Sequence, residues 1–407
     1  MFLDVQNIKN QTMKYSFFRT FALLSLLSTS LLMSCKKDDF KPEESYIKIY
    51  NDSEGNKKYT PLGIQQTSDQ GFLILSAFNG WRINVMKIDK EGSLLWSTNL
   101  PSNYVNATPN ILKYANKYYL VCMDNVGLFT YLMNIDEGAG SVNQIQNFSG
   151  ILYPTAAFSN GSAIYIQNYD RLAFKTGIHQ LSTSLTSIAN SGEVNILTDV
   201  EDKVVGHIMY TGKRMPFFIS TTPENDYIIM NGFNNYSFSL IFLDPNLLFT
   251  GVYNGAGFNG GVSSLLPLGG SKFSVARFSF DNLYMNPATN LNPTGIDITE
   301  SISANGMSEL NPDKPVIIRA VKVGGTNYVT LAASTRSNQL LLCFFDANSG
   351  ALKGKKYIGK NTPYTISDLV STEDNGLMIL TQVKVMGSYD RIATIRLSNE
   401  QLEESIE

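Results

Sequence analysis

A short polar turn that leads directly into an apolar run occurs seven times along this chain of 407 residues. The turns are rich in Gly, Asn, Asp, Ser and Lys, and each run has the length of a short β-strand. The seven segments lie at residues 68–75, 115–121, 159–166, 224–230, 269–275, 324–331 and 373–380. A signal that returns at intervals of 44 to 65 residues indicates a fold built from similar units arranged around an axis.

Residues 60–100 show what one unit contains. A short inner strand at 63–67 precedes a nearly continuous apolar strand at 72–76, which is typical of a strand covered on both faces. A mixed third strand at 84–88 and an outer strand at 93–97 follow. Four strands joined by tight hairpins within about 40 residues form one blade of a β-propeller.

The sequence therefore predicts an all-β fold, a β-propeller of seven four-stranded blades, with six to eight blades left open. The predicted blades lie near 60–100, 107–148, 152–191, 214–254, 261–304, 315–358 and 364–404. Residues 401–405 are too charged for an outer strand, whereas 46–50 look like a strand without a partner in their own unit. Because open sheet edges promote aggregation, we expect this N-terminal strand to complete the seventh blade and close the ring.

The composition limits the function classes. A hydrophobic content of 43% is enough for a large core, and the net charge of −3 comes with no basic block. Nucleic-acid binding needs a basic stripe that displaces counterions, so no nucleic-acid partner is expected. Cys122 and Cys343 lie in apolar strands of separate blades, which predicts two free, buried thiols.

The first 44 residues contain a predicted targeting signal. Lys14 and Arg19 precede an apolar stretch of about 13 residues, which is too short to span a bilayer and is typical of a signal peptide. The stretch ends in Leu-Met-Ser-Cys at 32–35, which resembles a bacterial lipobox. This resemblance implies a lipoprotein signal peptide at 1–34 and a Cys35 that carries acyl chains such as palmitate.

A polar tether at 35–44 would then connect the lipid to a propeller domain at 45–407. Lys36, Lys37, Asp38 and Asp39 directly follow the cysteine and resemble the surface-export signal of lipoproteins in certain Gram-negative bacteria. That resemblance implies an outer-membrane protein that faces the cell exterior. A periplasm-facing anchor stays open, because any short charged tether would look similar.

The turns before the outer strands contain aspartates that could be read as metal ligands. The turns are 89–92, 136–138, 244–246 and 346–350. We expect each Asp to cap its own turn while Gly or Asn takes the positive φ, because one aspartate per separate blade does not make a metal site. No metal site is predicted.

No catalytic group stands out either. His179 and His207 have no neighbouring Cys/His cluster and fit no zinc spacing, so we interpret them as strand or loop side chains. Residues 255–260 match GxGxxG, but the following residues do not have a helical period, which favours a loop between blades. The sequence therefore predicts no catalytic residue and no cofactor.

Trp81 and Arg82 lie at a predicted hairpin tip and are the candidate contacts for a ligand or partner. An exposed tryptophan stacks on sugars or anchors a protein interface. The alternative is a ring that packs over the edge of a neighbouring blade. Trp96, in the predicted outer strand, is expected to pack between blades.

Two segments resemble blade endings of quinoprotein-like propellers, in which an Asp-x-x-Gly turn precedes a docking Trp. Residues 88–96 keep both features, whereas 346–353 have a longer turn and no Trp follows it. The resemblance implies the fold and does not extend to the quinone cofactor. The chain also resembles lipid-anchored propellers of Gram-negative outer membranes, notably at 65–72.

These observations predict a non-catalytic binding or scaffold module, anchored to the membrane by lipid, whose partner is an outer-membrane protein complex or a surface glycan. The rival is a propeller enzyme, a quinone-dependent dehydrogenase or a carbohydrate-active lyase or hydrolase, with its site at the central channel. A charged cluster with an aromatic in the channel mouth would favour the enzyme, and a lining of small and apolar side chains the scaffold. Which rim binds is left open.

Overall fold

The computed structural model describes residues 45–50, 57–209, 215–359, 362–385 and 389–406. The predicted signal peptide, Cys35 and the charged residues 36–39 lie outside the described residues. Within them, no helix is both long and apolar enough to cross a bilayer.

The described residues form strands and three short helical segments. The strands are β1 (Tyr46–Tyr50), β2 (Tyr59–Gln66), β3 (Phe72–Phe78), β4 (Arg82–Ile88), β5 (Leu94–Asn99), β6 (Tyr104–Val105), β7 (Leu112–Tyr114), β8 (Lys117–Asp124), β9 (Phe129–Asp136), β10 (Ser141–Leu152), β11 (Pro154–Ser159), β12 (Ile164–Asp170), β13 (Lys175–Leu181), β14 (Ile188–Asn195), β15 (Phe218–Thr221), β16 (Ile228–Asn234), β17 (Ser237–Leu243), β18 (Phe249–Asn254), β19 (Gly260–Gly269), β20 (Lys272–Ser279), β21 (Asn282–Asn290), β22 (Ile296–Ile298), β23 (Asn305–Gly306), β24 (Val316–Val323), β25 (Thr326–Ser334), β26 (Leu340–Asp346), β27 (Leu352–Ile358), β28 (Tyr364–Ser371), β29 (Leu377–Lys384) and β30 (Asp390–Leu397). The helical segments are α1 (Glu201–Ile208), α2 (Asn399–Glu403) and a 3-10 turn at Thr299–Ser301.

These strands assemble into antiparallel units of four. In chain order, units 1 to 7 are β2–β5, β7–β10, β11–β14, β15–β18, β19–β21 with β23, β24–β27, and β28–β30 with β1. The short strand β6 joins units 1 and 2 into one nine-stranded sheet. The expected all-β architecture of repeated sheets is therefore present.

Burial explains why each strand takes its place in a unit. The second strand of unit 1, β3, is buried along its whole length, and so is β16 in unit 4. A strand covered on both faces reads as a continuous apolar run, which is the pattern that recurs in the sequence. The outer strands β5 and β27 alternate between half-buried and exposed residues, since only one face packs on a neighbouring unit.

The first described strand belongs to the last unit. β1 pairs antiparallel with β30, with Tyr46 opposite Arg396 and Tyr50 opposite Ile392. The Tyr50 hydroxyl donates to the carbonyl of Gly92 at 3.0 Å, in the turn between β4 and β5. The outer strand of unit 7 therefore touches unit 1.

Trp96 makes the corresponding contact between units 1 and 2, as expected from its position. Its Nε1 donates to the carbonyl of Glu137 at 3.0 Å, in the turn between β9 and β10. Lys87 crosses the same boundary, with Nζ 2.6 Å from Asp69 and 3.1 Å from Glu137. Burial opposes the charge on Lys87, but its two carboxylate partners raise the pKa of the amine on balance.

The aspartate turns confirm side-chain capping, and a glycine takes the positive φ in three of the four, at Gly92, Gly140 and Gly350. Asp136 Oδ1 accepts from the backbone N–H of Gly138 and Ala139, but the positive φ is at Gly140. In the turn of Asp244 the positive φ is at Leu247 rather than at Asn246. Because the capping oxygen holds the next residues in the right-handed region, the left-handed residue comes later in the turn.

The segment after unit 3 and the segment after β21 both contain regular structure. The insertion after unit 3 forms α1, whose residues Val204, His207 and Ile208 are buried. The stretch after β21 returns to unit 4, where β22 pairs in parallel with β18. A Cβ at Gly251 would lie 2.5 Å from the carbonyl oxygen of Pro293, so the crossing depends on that glycine. As a consequence, unit 5 keeps only the two-residue β23 as its outer strand.

Candidate functional site

The first strands of the seven units face a common cavity of about 1120 Å³. Its wall takes one or more residues from every unit, and the apolar members include Leu62, Ile111, Phe158, Ile219, Leu265, Ile318 and Ile366. A cavity bounded by the inner strands of successive sheets corresponds to the central channel of a propeller.

A buried carboxylate forms an ion pair within this mostly apolar wall. Arg319 on β24 places Nη2 3.2 Å from Oδ1 of Asp368 on β28. The Asp368 carboxylate also accepts from the backbone N–H of Ile64 on β2, at 3.2 Å, and of Leu369, at 2.9 Å. Burial raises the pKa of Asp368, while Arg319 and the two N–H donors oppose that rise. One carboxylate thus joins the inner strands of units 1, 6 and 7.

The channel combines features that the sequence had assigned to rival functions. Its wall is mainly apolar, as expected for a scaffold, but further charged residues line it, namely Lys58, Lys113, Asp313, Lys314 and Asp390. Lys58 and Asp390 pair at 3.5 Å. The carboxylate of Asp368 is engaged by three donors that hold the sheets together, so its contacts are those of a structural group.

His179 is a strand side chain, as expected, whereas His207 lies on helix α1 and not in a strand or loop. His179 on β13 lies 2.8 Å from the Ser191 hydroxyl and 3.0 Å from the Asn168 amide oxygen, and burial lowers its pKa to about 4. His207 on α1 packs edge-on against Phe217, with ring centroids 4.7 Å apart, and lines the channel.

The remaining motifs are also structural. Residues 255–260 run from β18 into β19, so a strand and not a helix follows this glycine-rich segment. A search of the described residues finds no group of three or more His, Cys, Asp or Glu side chains that could hold a metal ion. Cys122 and Cys343 are free and buried, and burial raises the pKa of both thiols.

The exposed apolar side chains of the hairpins concentrate at one end of the sheets. Because antiparallel neighbours alternate in direction, the hairpins between the second and third strands of every unit lie at the same end. We call this end the tip face. Six of the seven units expose a large apolar side chain in that hairpin, and the residues are Trp81, Val126, Leu172, Phe174, Tyr236, Phe280 and Tyr389.

The hairpins between the first and second strands lie at the other end, which we call the opposite face. They comprise residues 67–71, 115–116, 160–163, 222–227, 270–271, 324–325 and 372–376. The described residues of these seven hairpins include no exposed large apolar side chain. The two sets of hairpins, those between the first and second strands and those between the second and third, therefore differ in polarity.

Trp81 lies where the tip face meets the channel. Its side chain is 43% exposed and lines the cavity, while its carbonyl accepts from the backbone N–H of Asn106 at 2.9 Å. The guanidinium of Arg82 lies 5.3 Å from the centroid of the Phe78 ring. Of the two predicted contact residues, Trp81 is thus at the channel mouth and Arg82 packs on its own hairpin.

Sequence reasoning missed the other tip residues. Each is one apolar residue inside a polar turn, and a single residue has no periodicity to detect. The available signal was their shared place, between the second and third strands of successive units.

The fold agrees with known propellers. No protein-family model matches this chain, and no curated protein matches its sequence. A hydrazine synthase structure from Kuenenia stuttgartiensis is similar over 81% of this chain and 96% of its own, with a TM-score of 0.51 and 9% identity. An oligogalacturonate lyase in complex with manganese is similar over 88% of this chain and 98% of its own, also at 0.51 and 9%.

The β-propeller domain of the trilobed protease from Pyrococcus furiosus covers 84% of this chain at a TM-score of 0.45 and 10% identity. At identities this low, the likeness to the first two structures shows the fold alone. The chain is an all-β protein of the β-propeller class.

Proposed function

We propose that this chain is a non-catalytic β-propeller, anchored by lipid at the outer membrane, that binds a protein or glycan partner at the cell surface. The anchor and the location are supported by the lipobox-like residues 32–35 and the charged residues 36–39. The binding role is supported by the tip face, where six of the seven units expose a large apolar side chain in the same hairpin.

We infer that the seven units are blades of one closed ring. Tyr50 of unit 7 contacts the turn at Gly92 of unit 1 in the way that Trp96 of unit 1 contacts the turn at Glu137 of unit 2. The inner strand of unit 1 also meets the second strand of unit 7, since Gln382 Nε2 on β29 donates to the carbonyl of Tyr59 on β2 at 2.7 Å.

The backbone conformation of two tip residues gives the binding proposal its strongest support. Phe174 and Phe280 have φ angles of 55° and 50°, in the left-handed region that Gly and Asn prefer. Both rings are at least half exposed, so burial within the chain does not offset the cost of this conformation. A bulky residue held there is an outlier, and such outliers concentrate at functional sites. A partner that buries the rings would supply the missing stabilisation.

The enzyme alternative would place its chemistry in the channel. The more buried ion pair there, Arg319 with Asp368, is held by backbone groups, because Asp368 accepts from Ile64 on β2 and Arg319 donates to the carbonyl of Ile318. Its contacts give the binding role more support than a catalytic one.

Affinity purification of the full chain from detergent-solubilised membranes tests the proposal. We expect the wild type to recover a specific partner, identified by mass spectrometry or by lectin blotting. The double variant Val126→Ser with Leu172→Ser should lose it, because two exposed tips are removed without disturbing the core. The matched control, Leu94→Ser with Leu352→Ser, changes two exposed outer-strand leucines and should keep it.

Retention of the partner by the tip variant would contradict the proposed role of the tip face. Recovery of the protein alone, together with turnover of a sugar or an alcohol, would overturn the binding function in favour of the enzyme.

A further inference from the structure

The chain enters the fold at the opposite face. β1 begins at Tyr46, whose hydroxyl is 3.4 Å from the carbonyl of Lys90 in the turn between β4 and β5. Tyr46 is paired with Arg396, which forms an ion pair with Asp374 in a hairpin of the opposite face. β1 therefore begins beside the polar hairpins of the opposite face, away from the tips.

The number of residues before β1 limits how far the anchor can reach. Ten residues, 36–45, separate Cys35 from Tyr46, and a fully extended chain spans at most about 3.3–3.6 Å per residue, or about 35 Å in total. An inner strand such as β2, with 8 residues, is about 26 Å long at about 3.3 Å per residue. A tether that turned the tip face towards the membrane would use most of its length passing along the sheet.

The charges near the tips are largely satisfied within the chain. Arg171 pairs with Glu201 at 2.9 Å, and the guanidinium of Arg336 donates to the carbonyls of Ser308 and Asp281. Arg336 belongs to unit 6, the one unit whose tip hairpin exposes no large apolar residue. A partner that approaches the tip face therefore meets mainly apolar side chains, rather than an excess of positive or negative charge.

We propose that the tip face binds the apolar surface of a second, different protein, which approaches from the side away from the membrane. This inference rests on the proposed lipid anchor. Three other occupants fit less well. The membrane lies on the side of the tether. Two copies anchored in one membrane present their tip faces in the same direction, so they cannot meet tip to tip.

A glycan is the third alternative, and the two most exposed tips argue against it. Val126 and Leu172 are 88% and 85% exposed, and neither offers a ring on which a sugar can stack. Aliphatic and aromatic side chains together suit the core of a protein interface, where apolar contact excludes water.

Site-specific photocrosslinking in intact cells tests the inference. The full-length, anchored chain carries p-benzoylphenylalanine in place of Tyr236 or of Phe280. Controls carry it in place of Asn160, on the opposite face, or of Leu352, on an outer strand. We expect a discrete protein adduct from both tip positions and from neither control. Adding Val126→Ser and Leu172→Ser should reduce its yield at least tenfold.

Four results would overturn the inference: an adduct to lipid from the tip positions, an adduct that contains only a second copy of this chain, an adduct that glycosidase but not protease removes, or no adduct from either tip position. Equal yields from the controls would do the same.

A second measurement separates this inference from the anchor on which it rests. Single cysteines replace Tyr236 or Asn160 and carry a fluorescent donor, with an acceptor in the lipid. Cys122 and Cys343 are fully buried and should not react. We expect stronger energy transfer from Asn160→Cys than from Tyr236→Cys, and the reverse order would refute the orientation. If the wild-type chain is found in the soluble fraction, the proposed anchor fails, while the crosslinks still report on the tip face.

Discussion

Replacing Asp368 by alanine should strongly destabilise the propeller. The carboxylate is buried, with 6% of the residue exposed, and it accepts from Ile64, Leu369 and Arg319. Alanine leaves two buried backbone N–H groups and a half-exposed guanidinium without their acceptor. Removing one partner of a buried, hydrogen-bonded pair costs about 3–5 kcal/mol.

Thermal unfolding of the full chain in detergent measures this loss. The entropy of unfolding scales with chain length at about 2.1 cal/mol/K per residue, so each kcal/mol lowers Tm by roughly 1–1.5 °C in a protein of this size. We expect Asp368→Ala to lower Tm by about 5 °C. Asp390→Ala is the matched control, because Asp390 also lines the channel but pairs at 3.5 Å with the exposed Lys58. A loss of at most about 1 kcal/mol is expected there.

The double variant tests the coupling. Adding Arg319→Met to Asp368→Ala removes the guanidinium that the first substitution leaves unpaired. The two effects should therefore add to less than their sum, by about 1–2 kcal/mol. Equal Tm values for Asp368→Ala and Asp390→Ala would refute the view that this carboxylate holds three inner strands together.

Four further predictions follow from particular contacts. Deleting 45–51 should abolish folding, because β30 then loses its outer partner; a stable, monomeric truncation would contradict ring closure. Trp96→Phe should cost about 1 kcal/mol, the net value of its hydrogen bond to the turn of the next unit, in urea unfolding. Burial lowers the pKa of His179 to about 4, so the contribution of the neutral imidazole to stability is present above pH 6.5 and is lost as the pH falls towards 4. In the variant His179→Gln, the free energy of unfolding should change less between those pH values. Phe280→Asn should leave the free energy of unfolding unchanged or raise it by about 0.5–1 kcal/mol, since Asn tolerates the left-handed region. The same variant should recover less of the partner from membranes. A destabilised variant that keeps its partner would contradict a functional role for the strained ring.

The strand units could be predicted because the burial of a strand determines a local pattern of apolar residues in the sequence. A strand covered on both faces needs a continuous apolar run, so 72–76 and its six counterparts were visible one unit at a time. Residues 46–50 were assigned to the last unit for a related reason, because they have strand character and no partner nearby in the chain. The two buried cysteines and the docking role of Trp96 followed from the same strands.

The contacts between units do not correspond to any local pattern in the sequence. Arg319 and Asp368 are separated by 49 residues, and neither stands in a motif. The crossing of β22 to unit 4 depends on the space beside Gly251, which only the packed chain defines. The helix α1 lies between two predicted blades and was not predicted, because its one turn of buried residues is too short for a periodic signal.

The amino-acid sequence alone was sufficient to predict repeated four-stranded sheets and a lipoprotein-like start, because strand burial and signal segments depend on neighbouring residues. Only the tertiary structure decided which side chains meet in the channel and that the exposed apolar tips share one end of the sheets. Those properties arise when residues far apart in the chain are brought to one surface, and no local pattern encodes that arrangement.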